Sequence, residues 1–256
     1  MRVIFEFVSE NKLVLPIHYN HILQGLIYHS FSDRTLADFL HNNGYQLNKR
    51  KFKLFSFSRL MGDFIIDNQN KQIIFESPVK FVVTSVKPVI IQDITSNIIK
   101  NNYVRIGKEH LFLKEVKFES FNVESNKMYI KMLSPVVTYK TYEANGSKKT
   151  HYYSPWEPEF EEQIKNNLLK KYELVEGKKP DNLEFSIKPL FKKETAKPNI
   201  ILYRDFVIKG WSGIFELSGD LKLLKIAYDI GIGAKNSLGF GCFEILTSKS
   251  SKNSRR

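Results

Sequence analysis

The apolar residues of this chain change period in a fixed order, and that order occurs twice. Arg2 to Val8 (RVIFEFV) alternates as a strand does. In HYNHILQGLIYHSF, Tyr19, Ile22, Leu23, Leu26 and Ile27 recur at helical spacing, with His18, His21, Gly25 and Tyr28 on the other side. Phe52 to Leu60 alternates again, and QIIFE and KFVVTSV are extended after it. Pro88 opens a second helical pattern, PVIIQDITSNIIKN, and HLFLKEVKFE closes the series as a strand. From Met128 the series restarts. MYIKMLSPVVTY is extended, and EPEFEEQIKNNLLKKY is helical with Phe160, Ile164, Leu168 and Tyr172 four apart. LEFSIKPLF and IILYRDFVIKGWSGIFEL are strands, Asp220 caps DLKLLKIAYDI, and GFGCFEIL closes the chain as a strand.

Strand, helix, two strands, helix, strand is the split βαβ unit. The order therefore predicts an α+β chain of two tandem ferredoxin-like (βαββαβ, RRM-like) domains. The 256 residues suffice for both. A polar break at FNVESNK sets the expected division, with one domain over 1–122 and the other over 123–246. The halves share no convincing residue identity, so the repeat is one of element order. The polar, basic end SKSSKNSRR makes 247–256 an expected disordered tail. Within the first unit, Ser32 or Asp33 can cap a short helix, RTLADFLH, and Gly44 can stop it.

The formal net charge is +12 and the pI about 9.5, which points to a polyanionic partner, a nucleic acid or an anionic membrane surface. The plain alternative is a basic soluble protein. A single cysteine, Cys242, excludes an intrachain disulfide, and no Cys/His spacing suits zinc, so neither metal nor cofactor is expected. MRVIFEFVSENK is interrupted by Glu6 and does not read as a signal peptide. No apolar segment is long enough to cross a bilayer, so a cytoplasmic protein is expected.

Near the end stands GIGAKNSLGFG, Gly231 to Gly241. It matches neither GxxxxGK[ST] nor GxGxxG, and it runs from helix to strand where those loops run from strand to helix. A mononucleotide-binding enzyme is thereby disfavoured. Gly231, Gly233, Gly239 and Gly241 can let backbone N–H groups approach phosphate, and Lys235 adds charge. Asn236 and Ser237 can hydrogen-bond phosphate, ribose or base edges. The structural alternative is a helix cap at Gly231 followed by a bulged strand.

A G-h-G-x₅-G-h-G loop (h apolar) between the last helix and last strand of a second ferredoxin-like unit resembles the RAMP superfamily of CRISPR-associated proteins. Gly231, Ile232, Gly233, Gly239, Phe240 and Gly241 fill that pattern. The run LPIHYNHILQGLIYHSF, with its YN-x-x-LQGLIY core, resembles the first helix of one branch, the sixth Cas family, whose members cut CRISPR precursor RNA within its repeats. The resemblance implies metal-independent cutting: the 2′-OH beside the scissile phosphate attacks it, leaving a 2′,3′-cyclic phosphate and a 5′-OH. It implies Tyr28, His41 and Lys53 as the catalytic set, with His21, then His18 and His29, as reserves. His41 ends a short helix, where the dipole favours a cationic side chain, and a phenol is a poor base, which makes Tyr28 a hydrogen-bonding group for the 2′-OH. The implied partner is repeat RNA. Other Cas effector subunits and a second copy of the chain stay open. Lys49, Arg50, Lys51 and Arg204 are the expected phosphate contacts. Phe240, Tyr203 and Trp211 could stack bases but fit a core better. The competing readings are a non-catalytic RNA-binding subunit of the same superfamily and an unrelated basic module.

Overall fold

The computed structural model describes residues 1–144 and 146–246, so the expected basic tail lies outside the described residues. The first unit is a five-stranded antiparallel sheet in the order Phe55–Phe57, Val79–Ser85, Arg2–Val8, Glu109–Glu119, Tyr103–Ile106. Its first helices in the chain are α1 (Asn20–His29), α2 (Arg34–Asp38) and α3 (Pro88–Asn101). Leu23, Leu26 and Ile27 of α1 and Ile90, Ile91, Ile94 and Ile98 of α3 bury against Val3, Phe5, Phe7 and Phe81 of the sheet. Pro88 at the first turn and Asn102 in the left-handed region bound α3 at the two ends read from the sequence.

The second unit has four antiparallel strands, Phe185–Pro189, Ile214–Gly219, Lys127–Met132 and Phe243–Ile245 in that order, with α4 (Pro158–Glu176) and α5 (Leu221–Ile230). With the edge strand Tyr103–Ile106 set aside, the strands of both sheets, numbered by their place in the unit, run second, third, first, fourth. That order makes the chain an α+β pair of ferredoxin-like folds. The first unit's last sheet strand ends at Glu119 and the second unit's first begins at Lys127.

Two long strands expected from alternation are broken. Phe52 to Leu60 divides into Arg50–Phe52, paired in a hairpin with Tyr45–Leu47, and Phe55–Phe57 in the main sheet. Leu54 between them has φ +56°, a region costly for a branched side chain. The cause is tertiary: Leu54 is buried in the second unit's core, while Phe55 is buried in the first's. Ile200 to Leu217 likewise divides into a hairpin, Asn199–Tyr203 with Phe206–Gly210, and the sheet strand from Ile214. A further hairpin, Tyr139–Ala144 with Ser147–Tyr152, precedes α4, and Leu13–Pro16 joins Gln72–Phe75 and Phe64–Asp67 in a small sheet.

Polar side chains bonded to main-chain oxygens join the units. Arg2 is buried, donates to Phe243 O at 2.7 Å and stacks over the Tyr228 ring at 4.0 Å. Thr84 donates to Asp229 O at 2.9 Å, Ser56 to Phe240 O and Ser134 to Phe57 O, both at 3.0 Å. Such buried bonds specify one relative orientation, because sliding the units would strand several donors at once.

Candidate active site

Asp33 caps α2 by accepting from Leu36 N at 3.0 Å, while Ser32 turns its hydroxyl to Asp93. The helix then widens into a π-helical turn, Phe39–Asn43, which ends at Gly44 with φ +69°. A Cβ on Gly44 would lie 2.6 Å from Phe52 O and 3.0 Å from Lys53 Cδ. Glycine there lets the segment carrying Lys53, between the strands Arg50–Phe52 and Phe55–Phe57, pass against the turn carrying His41. Lys53 Nζ donates to His41 O at 2.8 Å. The His41 ring meets the Tyr28 ring edge to face, centroids 5.2 Å apart. The structure thus brings together Tyr28, His41 and Lys53, which lie on three separate elements.

Their environments differ. Tyr28 does not face away from the core as its helical phase suggested. It is half-buried, with its ring 6.2 Å from those of Phe31 and of Phe55 in the sheet. Burial, and secondarily the neighbouring Tyr203, push its phenol up to about 12, so it stays protonated and donates. His41 is exposed, and its Nδ1 lies 2.9 Å from Asn42 Oδ1. That contact occupies Nδ1 and leaves Nε2 without a hydrogen-bond partner among the described residues. Burial, and then the charge of Lys51, hold Lys53 below the ordinary lysine range. Of the reserve histidines, His21 is exposed on α1, His29 bonds Gly25 O of its own helix at 2.7 Å, and His18 is lowered by burial and by Arg59.

Lys53 also lines a cleft of about 850 Å3 between the units. Arg50, Lys51 and Phe52 continue that wall. Tyr139, Lys140, the α4 side chains Glu159, Glu162, Gln163, Asn167 and Lys171, and the loop residues Lys235, Asn236 and Ser237 also line it. Lys49, at the tip of the short hairpin, and Arg204, exposed at the turn of the Asn199–Gly210 hairpin, lie outside this lining.

The glycine loop is placed beside the cleft, but its glycines do different work from the phosphate cradle expected of them. Gly231, Gly233, Gly239 and Gly241 are buried. The N–H groups of Gly231, Gly239 and Gly241 bond Ala227 O, Asn236 O and Pro135 O. A Cβ on Gly241 would sit 1.9 Å from Ile232 O, and one on Gly239 2.5 Å from the Phe57 ring. The glycines let the loop fold back on itself against the first unit. Asn236, expected to read base edges, instead donates to Ile232 O and Phe240 O at 3.0 Å each and accepts from Lys171 at 2.8 Å. Lys235, whose ammonium lies 4.8 Å from the centre of the Tyr139 ring, and Ser237 remain as polar side chains of the loop at the cleft. Burial lowers Lys235. Phe240 and Tyr203 are buried, and Trp211 is half-buried with its indole N–H on Tyr153 O.

The two sequence signatures touch. Asn20 and Gln24, four apart on α1, donate to Gly239 O at 3.1 Å and to Ser237 O at 2.8 Å, and Gln24 accepts from Tyr203. Tyr28 is the next residue on that stripe, so one face of α1 holds the loop and the candidate site in register. Sequence reasoning missed Lys171. It is fully buried, donates at 2.8 Å to both Gly231 O and Asn236 Oδ1, and is pushed down to about 7 by burial. The signal was present as Gln163, Asn167 and Lys171 four apart beside the apolar stripe of α4.

Among the described residues no three His, Cys, Asp or Glu side chains converge as metal ligands, and no helix is long and apolar enough to cross a membrane. Residues 14–117 match the family described as CRISPR-associated protein Cas6, N-terminal, and 113–245 the family described as CRISPR associated protein Cas6, C-terminal. The chain is 29% identical to the CRISPR-associated endoribonuclease Cas6 1 of Methanocaldococcus jannaschii, over 100% of its own length and 96% of the relative's. It is 30% identical to the CRISPR-associated endoribonuclease Cas6 of Pyrococcus furiosus, over 98% and 92%. A solved structure described as CRISPR associated protein Cas6 superposes with TM-score 0.78 at 25% identity, covering 96% of this chain and 99% of that one. A Cas6-related protein from Pyrococcus furiosus superposes with TM-score 0.82 at 23% identity, covering 97% and 99%. Matched in both halves and along nearly the whole length of these relatives, the chain belongs to the Cas6 family of CRISPR-associated proteins.

Proposed function

We propose that this chain is an endoribonuclease that matures CRISPR precursor RNA by cutting within the repeat, through attack of a ribose 2′-OH on the adjacent phosphate. The observation that carries the reading is the meeting of Tyr28, His41 and Lys53 at the lip of a basic cleft. Attack forms the 2′-O–P bond and breaks the bond to the 5′-oxygen, giving a 2′,3′-cyclic phosphate and a 5′-OH. The 2′-OH loses a proton and the leaving oxygen gains one. His41 Nε2, in reach of solvent and substrate, delivers or relays that proton. Tyr28, held protonated, donates a hydrogen bond that orients the ribose. Lys53 places positive charge where the crowded phosphorane becomes most negative.

In this reading residues 1–122 supply the chemistry, and 123–246 supply the loop and much of the cleft. Arg50, Lys51, Lys140 and Lys235 give the cleft its affinity for phosphates. Lys49 and Arg204 would extend the track beyond it. The repeat RNA is the partner. Effector subunits that take up the product, or a second copy of the chain, are the protein partners that the reading carries, and a cytoplasmic setting follows from the substrate. The test is His41→Ala in a single-turnover assay on repeat RNA. Cleavage should fall by about 10²–10⁴-fold, the usual worth of a positioned acid or base, with affinity for the uncut RNA kept. Cleavage at the wild-type rate would remove His41 from the mechanism. Binding without cleavage by the wild type would favour a non-catalytic RNA-binding subunit.

A further inference from the structure

We propose that the face of α4 carrying Gln163 and Asn167, with Lys171 beneath, is a base-reading subsite for one unpaired nucleotide of the RNA next to the cut. The inference rests on the endonuclease reading above and names which residues give it sequence preference. Gln163, Asn167 and Lys171 stand on successive turns of α4, and all three line the cleft. Residues four apart share one helix face, so three hydrogen-bonding side chains are presented in a row.

Asn167 is the strongest sign of a missing ligand. Its Oδ1 is buried and, among the described residues, has no hydrogen-bond partner. A buried acceptor left unpaired is costly, and a base N–H entering the cleft would satisfy it. An amide offers an acceptor and a donor side by side, which fits the Watson–Crick edge of a base. Below it Lys171 commits two of its three N–H donors, to Gly231 O and Asn236 Oδ1. This holds the loop at the back of the subsite. Phe52 and Tyr139 are half-buried and line the same cleft, so a ring is available on which the base can stack. Lys53 belongs to the same lining and bonds His41 O. A nucleotide seated here would therefore share one cleft with the lysine that bonds the His41 turn.

The test uses a pool of single-stranded RNAs with a randomised segment, sequenced after capture on wild-type protein and on Asn167→Leu, a variant of similar size without the amide. The wild type should enrich one base at one position by about 5- to 100-fold, the discrimination of a good amide–base contact. Asn167→Leu should flatten that position while preferences elsewhere and the melting temperature stay unchanged. If Asn167→Leu folds poorly, Gln163→Leu, at a half-exposed position, reads out the same subsite. The proposal is overturned if the wild type shows no preference at any position, or if both variants keep the wild-type profile. Because the readout is binding, loss of the endonuclease reading shows separately, as a wild type that selects a base but cuts none of the pool.

Discussion

The two units lay down four strands in the same order and differ in what connects them. In the first, the stretch between α1 and the second strand grows into α2, the π-helical turn and the Tyr45–Phe52 hairpin, and it delivers His41 and Lys53. In the second, the corresponding stretch from α4 to Phe185 carries no further helix or strand; added hairpins lie before α4 and between the second and third strands, and a further loop lies between α5 and the last strand. There the chain folds into the glycine loop. The first unit's equivalent, after α3, is a plain edge strand, Tyr103–Ile106, paired with the strand that follows. A repeated fold thus supplies two frames, and the α2–hairpin stretch of one and the glycine loop of the other sit at different connections. One carries the partly exposed candidate cluster and the other is a closed loop. Loops positioned by a rigid scaffold are where chemistry is added to a shared fold.

If the loop is a structural joint and the turn a reactive cluster, damage to each should look different. Gly241→Ala should cost the most. The added Cβ meets Ile232 O at 1.9 Å, and φ +76° disfavours any side chain there. A stability loss of about 3 kcal/mol is expected, from combined backbone strain and overpacking. Binding and cleavage should fall together, read by thermal melting and RNA titration. A folded, binding-competent but inactive Gly241→Ala would mean that the loop, like the turn, does chemistry.

A smaller effect sharpens the same contrast. The lysine behind the loop has its folded value lowered to about 7 against an unfolded value near that of free lysine. The unfolded chain therefore binds more protons between those values, and stability from this group rises with pH above about 7. The rise cannot exceed about 1.4 kcal/mol per pH unit for one group. Comparing wild type with Lys171→Met between pH 7 and 9 isolates it, because other titrating groups are common to both. The wild type should gain stability relative to the variant as pH rises. A constant difference would contradict a buried, uncompensated ammonium at that position.

The doubled frame was legible in the sequence because periods of two and of about four survive wherever a helix or strand buries one face. The start of α3 was legible for a local reason, Pro88 at its first turn. The break at Leu54 was not, since its cause is a core some seventy residues further on in sequence, to which Met128 and Met132 also belong. The candidate cluster of Tyr28, His41 and Lys53 came from family resemblance. Nothing local to those residues reveals that Gly44 lets the segment of Lys53 pass against the turn of His41. Asn236 was misjudged because a loop asparagine looks the same in sequence whether its amide faces solvent or, as here, bonds Ile232 O, Phe240 O and Lys171. The four glycines read as one motif, but what they accommodate is Ser56, Phe57 and Val137, contacts that only the folded chain supplies.

The central claim is that protonatable side chains drive a ribose hydroxyl onto its own phosphate. The most direct measurement incubates wild-type protein with repeat RNA in the presence of a chelator, beside the same RNA carrying a single 2′-deoxy nucleotide immediately 5′ of the cut. The account predicts cleavage of the first, with a cyclic phosphate on the upstream fragment by mass spectrometry, and an intact second RNA that is still bound. Cleavage of the deoxy substrate at the same site, or loss of all cleavage on chelation, would contradict it.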